Sequence, residues 1–209
     1  MTGEFTKCIR RATGDDATEI HALRLSEFKQ AEEFEVVEPM TLHWDERDDR
    51  EVVLATWDEQ GRAISTMRGG IVKDRKEAEE RMECSVPLDG SAFPTLLLGR
   101  GATRREFRDK GLNSALRYYF YSMVPGTPIR SVLGGVYLHA PRTELMKTLG
   151  YTFYTPERVW RTDLHALQPQ LVASLEASNI GGACDILRTM VGAVLLEYPW
   201  QGDRPRLGL

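Results

Sequence analysis

The order of apolar and polar positions along the chain predicts strands that alternate with helices. Apolar or alternating runs predict strands over 7–12, 95–103 and 129–140, and the turn Asp58-Glu59-Gln60-Gly61 predicts a hairpin within 51–72. Helical spacing, caps and terminating residues predict helices over 14–34, 111–123 and 141–150, and the charged run 74–84 predicts a short exposed helix. The polar run 41–50 is predicted to be a loop, and 151–164 a final strand or hairpin. This alternation is typical of an α/β domain with at least one parallel crossover.

The C-terminal segment has a different pattern. Apolar residues recur there at helical spacing in two runs, and Gly181-Gly182 separates them: Leu164, Leu167, Leu171, Val172 and Leu175, then Ile186, Leu187, Met190, Val191, Val194 and Leu195. This pattern predicts two extra C-terminal helices, packed on the domain or on a second subunit, which leaves a homodimer open. The predicted organisation is therefore a domain over 1–163 and a C-terminal helical extension of the same domain over 164–209.

Composition and charge narrow the function classes. The 209 residues are 42% hydrophobic and 28% charged, as is typical of a soluble globular protein, and the net charge of -4 argues against nucleic acid as a partner. No run approaches the ~20 apolar residues of a membrane span, and the first residues lack the apolar core of a signal peptide. A cytoplasmic location is therefore expected. Three distant cysteines and four scattered histidines predict neither disulfides nor a metal site.

The stretch "RDKGLNSAL" joins the predicted strand 95–103 to the helix that follows it. A helix that starts at Gly111 exposes unpaired N–H groups and the positive end of its dipole. Gly111 has no side chain to block a ligand, Arg108 and Lys110 add positive charge, and Ser114 lies in the first turn. These features suit a pyrophosphate. Taken alone, they fit a plain strand-to-helix turn equally well.

Two segments carry a resemblance to a known superfamily. "TRREFRDKGLNSAL" resembles the acyl-CoA loop of the GNAT acyltransferases, with Arg108, Gly111 and Asn113 at its three signature positions. Asn113 departs from the small residue that is usual there. "APRTELMKTLGYTFY" resembles the superfamily's second landmark, a short helix that ends here in Leu149-Gly150-Tyr151. The order of predicted elements also agrees, from residue 7 to about residue 163.

The resemblance implies a GNAT-like fold: a central mixed, mostly antiparallel sheet flanked by helices, with a V-shaped splay between the strands 95–103 and 131–138. It also implies an N-acyltransferase that moves an acyl group from acetyl-CoA or a longer acyl-CoA to a small-molecule amine by direct attack, without a metal. The pantetheine arm would pair with backbone near Ala102 and Thr103. The pyrophosphate would lie on Arg108, Asp109, Lys110, Gly111, Leu112, Asn113 and Ser114.

A narrower resemblance is to the branch that contains N-acyl amino acid synthases and acyl-homoserine lactone synthases. It rests on "HALRLSEF", "DERDD", "STMRGG" and "LLGRGATRREFR". Its matching polar positions are Arg24, Asp48, Asp49, Arg68 and Arg100, and members of that branch often take long acyl chains from acyl carrier protein. Arg68 and Arg100 are the predicted substrate-binding residues. The alternative is that both arginines bridge to Asp48, Asp49 or other surface acids.

The catalytic groups are less well defined by the sequence. Acyl transfer to an amine needs a base near neutral pKa, oriented N–H donors and a proton for the leaving thiolate. Met146 stands where the superfamily often has a proton-donating tyrosine. His139 is the first candidate base and Tyr137 the second candidate proton donor, on one face of the strand if it is regular. The alternatives are that His139 only caps a turn, and that the protein is a degenerate acyl-CoA-binding protein.

Overall fold

A computed structural model of the protein describes residues 6–161 and 163–207, apart from the side chain of residue 41. Its strands are β1 (Cys8–Arg11), β2 (Phe34–Val36), β3 (Val52–Trp57), β4 (Ala63–Val72), β5 (Thr95–Thr103), β6 (Ser131–Tyr137), β7 (Thr152–Tyr154), β8 (Leu164–Ala166) and β9 (Gln170–Glu176). Its helices are α1 (Ala17–Phe28), α2 (Glu46–Arg50), α3 (Arg75–Met82), α4 (Leu112–Ser122), α5 (Arg142–Thr148) and α6 (Ile180–Glu197).

Seven strands form one sheet in the order β1-β3-β4-β5-β6-β9-β7, and β2 pairs with β8 in a separate two-stranded sheet. Every neighbouring pair is antiparallel except β5 and β6, which are parallel. The crossover between those two strands is α4, as a parallel connection requires. The predicted mixed, mostly antiparallel sheet flanked by helices is confirmed.

Helices cover both faces of the sheet. On one face Ile20 and Leu23 of α1 pack with Val53 and Ala55 of β3. On the other face α4 contributes Leu112, Leu116 and Phe120 to the largest apolar cluster, which also includes buried residues of α6. The amphipathic pattern of α4 thus buries one face on the sheet, and because α4 follows β5 in the chain, its N-terminus comes after the carboxyl end of β5.

The prediction of two extra C-terminal helices is wrong, because residues 164–176 form β8 and β9 and only α6 is helical. β9 lies between β6 and β7, and its residues from Gln170 to Leu175 are all buried. A strand covered on both faces lacks the alternation that identifies a half-exposed strand. Its leucines therefore matched helical spacing by coincidence. Gly181-Gly182, predicted to separate two helices, lies in the first turn of α6.

Two shorter stretches also differ from the sequence prediction. The run 41–50, predicted to be a loop, contains α2, which Asp45 caps by accepting hydrogen bonds from the backbone N–H groups of Arg47 and Asp48. The strand predicted over 129–140 ends at Tyr137, and the chain turns at Leu138 and His139. This early end changes the position of the predicted base.

α6 packs against α4, with Ile180, Ala183, Leu187 and Val191 buried. By length and composition alone, Ala177–Glu197 is the one helix among the described residues that could cross a membrane. A helix that packs on a protein core satisfies the same criteria. The absence of a membrane span therefore stays a prediction.

Candidate active site

The two parallel strands at the centre of the sheet separate part of the way along. β5 pairs with β6 only from Thr95 to Leu98, opposite Ser131 to Gly134. Beyond that point both strands continue, but each pairs only with its outer neighbour, β4 or β9. The backbone of β5 beyond Leu98 therefore has an unpaired edge facing a V-shaped opening. This is the splay that the resemblance implied.

A β-bulge lies where the strands separate. Thr66 of β4 pairs with Ala102 and Arg68 pairs with Gly99, so two residues of β5 lie opposite one residue of β4. Arg100 is one of these two, and its φ of 53° is in the left-handed region. Bulges bend a strand and increase its twist. The bulge at Arg100 therefore accounts for the turn of β5 away from β6.

The candidate anion turn begins where β5 ends. Gly111 immediately precedes α4 and has a φ of 77°. The first helical hydrogen bond runs from the Ala115 N–H to the Gly111 carbonyl, at 2.9 Å. The N–H groups of Leu112, Asn113 and Ser114 have no i−4 carbonyl within the helix. These N–H groups are therefore the backbone donors that a pyrophosphate would meet.

The basic residues of this turn are not equivalent. The Arg108 side chain donates to Glu27 Oε2 of α1 at 3.0 Å and to the Thr103 carbonyl at 3.4 Å. The exposed Lys110 has its Nζ 4.8 Å from the centre of the Phe107 ring, and it forms no ion pair with a described residue. Lys110 is therefore the cation of this turn that is available to a phosphate.

Asn113 and Leu112 differ in what they can offer a ligand. Asn113 Nδ2 lies 3.3 Å from the point where a Cβ on Gly101 would be. The asparagine at a position that is usually small is thus accommodated by a glycine on the neighbouring strand. Leu112 is buried in the apolar cluster, so only its backbone can contact a ligand.

A buried charged cluster lies on the face of the sheet that α1 and α2 cover. Arg24 and Asp48 form two hydrogen bonds of 2.7 and 2.8 Å, and both side chains are fully buried. Arg68 bridges Asp45 at 2.9 Å, Asp48 at 3.3 Å and Glu51 at 3.4 Å. Asp49 is not a partner of Arg68 and instead accepts from the Trp44 indole at 2.6 Å. For Arg68, the alternative of bridging nearby acids is what the structure shows.

Arg100 is different, because its Nη1 is buried and has no hydrogen-bond partner. Burial first, and then the nearby cations Arg68, Arg24 and Arg161, together lower the pKa of Arg100 to about 10, with Asp163 opposing them. A cation that is partly desolvated and surrounded by other cations attracts an anion. The side chain therefore has the chemistry of a site for an anionic group.

The two catalytic candidates are not on one regular strand face. Tyr137 is the last residue of β6, and its buried ring lies 5.3 Å from that of Phe34. Burial raises the pKa of the Tyr137 hydroxyl, which keeps it protonated. His139 lies in the exposed turn beyond the strand, where its backbone N–H donates to Gln168 Oε1 at 3.2 Å. The prediction that Tyr137 and His139 share one strand face is wrong, because the strand ends between them. Met146 is buried.

A polar network between α4 and Tyr151, which directly precedes β7, was not identified from the sequence. Arg117 Nη1 donates to Tyr151 Oη at 3.2 Å and to Tyr121 Oη at 3.5 Å, and the two hydroxyls are hydrogen-bonded to each other. All three side chains are buried. The spacing of Asn113, Arg117 and Tyr121, each four residues from the next, places them on one helix face, but it does not show that this face is buried.

Metal ligands do not cluster in the part of the chain that the structure describes, where no three histidine, cysteine or acidic side chains are grouped so that they could hold an ion.

Comparisons with known proteins place this geometry in context. No protein-family model matches the sequence, and no curated protein matches it either. Among solved structures, a CoA-dependent acyl-homoserine lactone synthase with SAM and isopentyl-CoA has a TM-score of 0.63 and 18% identity, over 96% of this chain and 95% of that one. The Salmonella typhimurium protein yncA, with its cofactor acetyl-CoA, has a TM-score of 0.57 and 16% identity, over 83% and 95%. Arabidopsis thaliana NAA60, in complex with acetyl-CoA, has a TM-score of 0.57 and 14% identity, over 83% and 99%.

At these identities the likeness concerns the fold. The chain has a GNAT-like fold, as its two motifs predicted, and it shares this fold both with N-acetyltransferases and with an acyl-homoserine lactone synthase.

Proposed function

We propose that this protein is an N-acyltransferase that moves an acyl group from an acyl-CoA thioester to an amine by direct attack. One observation carries the proposal: the unpaired edge of β5 leads from the splay directly to the open N-terminus of α4. An extended pantetheine arm can pair with such an edge, and the helix N-terminus offers N–H groups to the pyrophosphate. One continuous surface therefore suits both ends of coenzyme A.

The donor is bound by backbone more than by side chains. Ala102 and Thr103 offer the strand edge, while the N–H groups of Leu112, Asn113 and Ser114, together with Lys110, hold the pyrophosphate. Arg108 acts indirectly, because its bonds to Glu27 and the Thr103 carbonyl fix the end of β5 against α1. This arrangement holds the thioester in the splay.

The chemistry is a single displacement. The amine, once deprotonated, attacks the thioester carbon, the C–N bond forms, and the tetrahedral intermediate expels the CoA thiolate. Tyr137, which burial keeps protonated at the end of β6, is the residue that we assign to protonate the thiolate. His139, in the exposed turn just beyond, is the residue that we assign to take the proton from the amine.

The acceptor is an amine that carries a carboxylate. Arg100 lies at the point where the strands separate, and its Nη1 has no protein partner. A carboxylate is the planar anion that a guanidinium recognises best. Among α-amino acid derivatives, SAM is the first candidate acceptor, because the solved synthase that binds SAM matches this chain over 96% of its length.

Acyl carrier protein is the alternative donor. The exposed Arg105 and Lys110 provide positive charge at the anion turn, whereas the Arg104 side chain donates to the Ala63 carbonyl at 2.9 Å and lies 3.8 Å from Glu19. Comparing kcat/KM for a carrier-protein thioester with kcat/KM for the CoA thioester of the same acyl chain distinguishes the two donors.

Calorimetric titration with free CoA and with acyl-CoA tests donor binding. Replacing Lys110 with Glu should weaken CoA binding by at least ~10-fold, because a charge-assisted contact becomes a repulsion. Lys76→Glu on exposed α3 is the matched control, since it changes the net charge equally and should leave affinity within about twofold of the wild-type value. Equal weakening by both variants, or no binding of any CoA compound at millimolar concentration, would overturn the donor site.

Thiol release from acyl-CoA tests the reaction. SAM and amino acids should release free CoA, and the corresponding decarboxylated amines should do so much more slowly. Release that is equally fast with both groups would contradict the role of Arg100.

A further inference from the structure

Arg117 is a buried cation without a buried anion. It is 6% exposed, and its hydrogen-bond partners are two tyrosine hydroxyls. It forms no ion pair with any described residue, and its Nε is a buried donor without a partner. The buried arginine of α1 differs, because Asp48 pairs with Arg24. A cation in the interior is costly unless it is paired.

The two tyrosines do not supply the missing negative charge. Burial, ahead of the neighbouring Tyr121, raises the pKa of Tyr151 well above its usual value, so its hydroxyl stays neutral. In the hydrogen bond between the tyrosines one hydroxyl donates to the other, which leaves one O–H free to donate. Together with Arg117 Nε–H and the Nη2 protons, the site has more donors than acceptors. It lacks a strong acceptor.

The site lies next to the splay. Asn113 Nδ2 is close to the Cβ position of Gly101, on the unpaired length of β5. Arg117 is one turn further along the same face of α4, roughly 6 Å deeper at 1.5 Å per residue. Tyr151 follows α5, the helix after β6. The donor-rich network is thus on the α4 side of the splay, one helical turn beyond Asn113.

We propose that the donor's acyl group ends in a carboxylate that binds Arg117, so that the substrate is a monothioester of a short dicarboxylic acid. This inference rests on the proposed acyl-CoA site and specifies its acyl group. The carboxylate would accept hydrogen bonds from the guanidinium and from the free tyrosine hydroxyl. A plain alkyl chain would leave the buried cation unpaired.

Calorimetry with matched acyl chains tests the inference and needs no acceptor. Succinyl-, glutaryl- and adipoyl-CoA are compared with butanoyl-, pentanoyl- and hexanoyl-CoA, and free CoA serves as the reference. At least one dicarboxylic thioester should bind at least ~10-fold more tightly than its alkyl counterpart, the scale of a hydrogen bond to a charged group. Wild-type protein that binds both series equally, or prefers the alkyl series, overturns the proposal.

Arg117→Met then identifies the responsible side chain. This variant keeps much of the volume and should lose the preference for the carboxylate, while its affinity for free CoA stays within about twofold of wild type. Tyr151→Phe, which removes one hydroxyl, should reduce the preference by several-fold and serves if Arg117→Met does not fold. If both folded variants still prefer the dicarboxylic thioesters as wild type does, the carboxylate binds elsewhere and the proposal is overturned. Failure of the underlying acyl-CoA site is distinguishable, because free CoA would then not bind either.

Discussion

Arg100 contributes to the molecule in two ways that a pair of substitutions can separate. Its backbone forms the bulge in a left-handed conformation, and its guanidinium has a buried nitrogen without a partner. Both Arg100→Ala and Arg100→Gly remove the guanidinium, but glycine adopts a positive φ without steric cost. We expect Arg100→Gly to have a free energy of unfolding about 1 kcal/mol higher than that of Arg100→Ala in urea titrations. Equal stabilities would mean that the bulge rearranges in the variants.

Both Arg100 variants should lose acceptor selectivity to the same extent, because selectivity depends on the side chain alone. The ratio of kcat/KM for SAM to kcat/KM for a decarboxylated amine, measured at saturating acyl-CoA, checks this point. A variant that retains wild-type selectivity would remove Arg100 from the acceptor site.

His139 is a second residue whose role can be decided by one variant. If it is the base, His139→Ala should slow acyl transfer by ~100-fold or more and abolish the acidic limb of the pH–rate profile. The melting temperature should hardly change, because His139 is exposed. His165→Ala on β8 is the matched control, an exposed histidine outside the turn. Full activity with an intact acidic limb would leave the turn without a catalytic role.

The sequence identified some of the residues at the candidate site and not others. Gly111 was recognisable because a turn before a helix leaves few options, and its φ is positive. A Cβ there would be in ordinary contact with Val191 and Val194 of α6, each 3.5 Å away, so the positive φ is what favours glycine. Arg117 was not recognisable, because an arginine among tyrosines on a helix is usually a surface residue. Only the packing of Tyr151 against α4 shows that it is buried.

At the scale of elements, α6 tests what holds the C-terminal segment in place. Leu187 is fully buried in the apolar cluster, whereas Leu196 on the same helix is 85% exposed. Leu187→Ala should therefore lower the free energy of unfolding by about 2–5 kcal/mol. Leu196→Ala, the same chemical change, should alter it by less than about 0.5 kcal/mol. Chemical denaturation of both variants measures the contrast directly.

Similar changes in the free energy of unfolding for Leu187→Ala and Leu196→Ala would show that α6 detaches from α4 in solution or that its outer face is covered. In the second case Leu196→Ala should also change the molecular mass in solution, as measured by light scattering. An unchanged mass together with similar values would assign the result to detachment.

Elements with a distinct edge or period were predictable, and those that depend on partners were not. α4 was predictable because its amphipathic run lies between two stretches with helix-breaking glycine or proline, and β5 because its apolar positions are continuous. β9 was misread because its pairing partners β6 and β7 lie elsewhere in the sequence, so the run itself does not show that it is a central strand. The splay likewise depends on a bulge of one residue. Gly99 and Gly101 on either side of Arg100 are compatible with a bulge, but they do not show that the strand turns away from its neighbour there.

At the scale of the whole molecule, the two ends of the described chain are joined. Ile9 of β1 donates to the Pro199 carbonyl at 3.0 Å, and Gln201 donates to the Ile9 carbonyl at 2.9 Å. Trp200 packs on Tyr119 of α4, with ring centres 4.8 Å apart. The tail thus covers the outer edge of the sheet, which would otherwise offer unpaired backbone groups. The stability of the whole domain is therefore coupled to both termini.

Acid should destabilise the whole molecule through carboxylates that the fold keeps ionised. Burial alone would raise the pKa of Asp58, but hydrogen bonds from the backbone and side chain of Arg62, and from the Gln60 N–H, outweigh it and lower the pKa. The pKa values of Asp16 and Asp45 are lowered in the same way, against burial, by donors that include Arg10 and Arg68. A folded-state pKa below the unfolded value gives stability that is present above about 3.9 and lost as the pH falls through the folded value.

The melting temperature should therefore be nearly constant from pH 7 to about pH 5 and then fall steadily. Asp58→Asn should melt at a lower temperature than wild type at pH 7, because the ionised acceptor of the hairpin turn is lost. Its decline with acid should be shallower, so that the two curves approach each other at the acid end, as the wild-type carboxylate becomes protonated. Asp203→Asn, which changes an exposed carboxylate of the tail, should follow the wild-type curve throughout. Parallel curves for Asp58→Asn and wild type would show that the hairpin carboxylate does not contribute to the acid sensitivity of the fold.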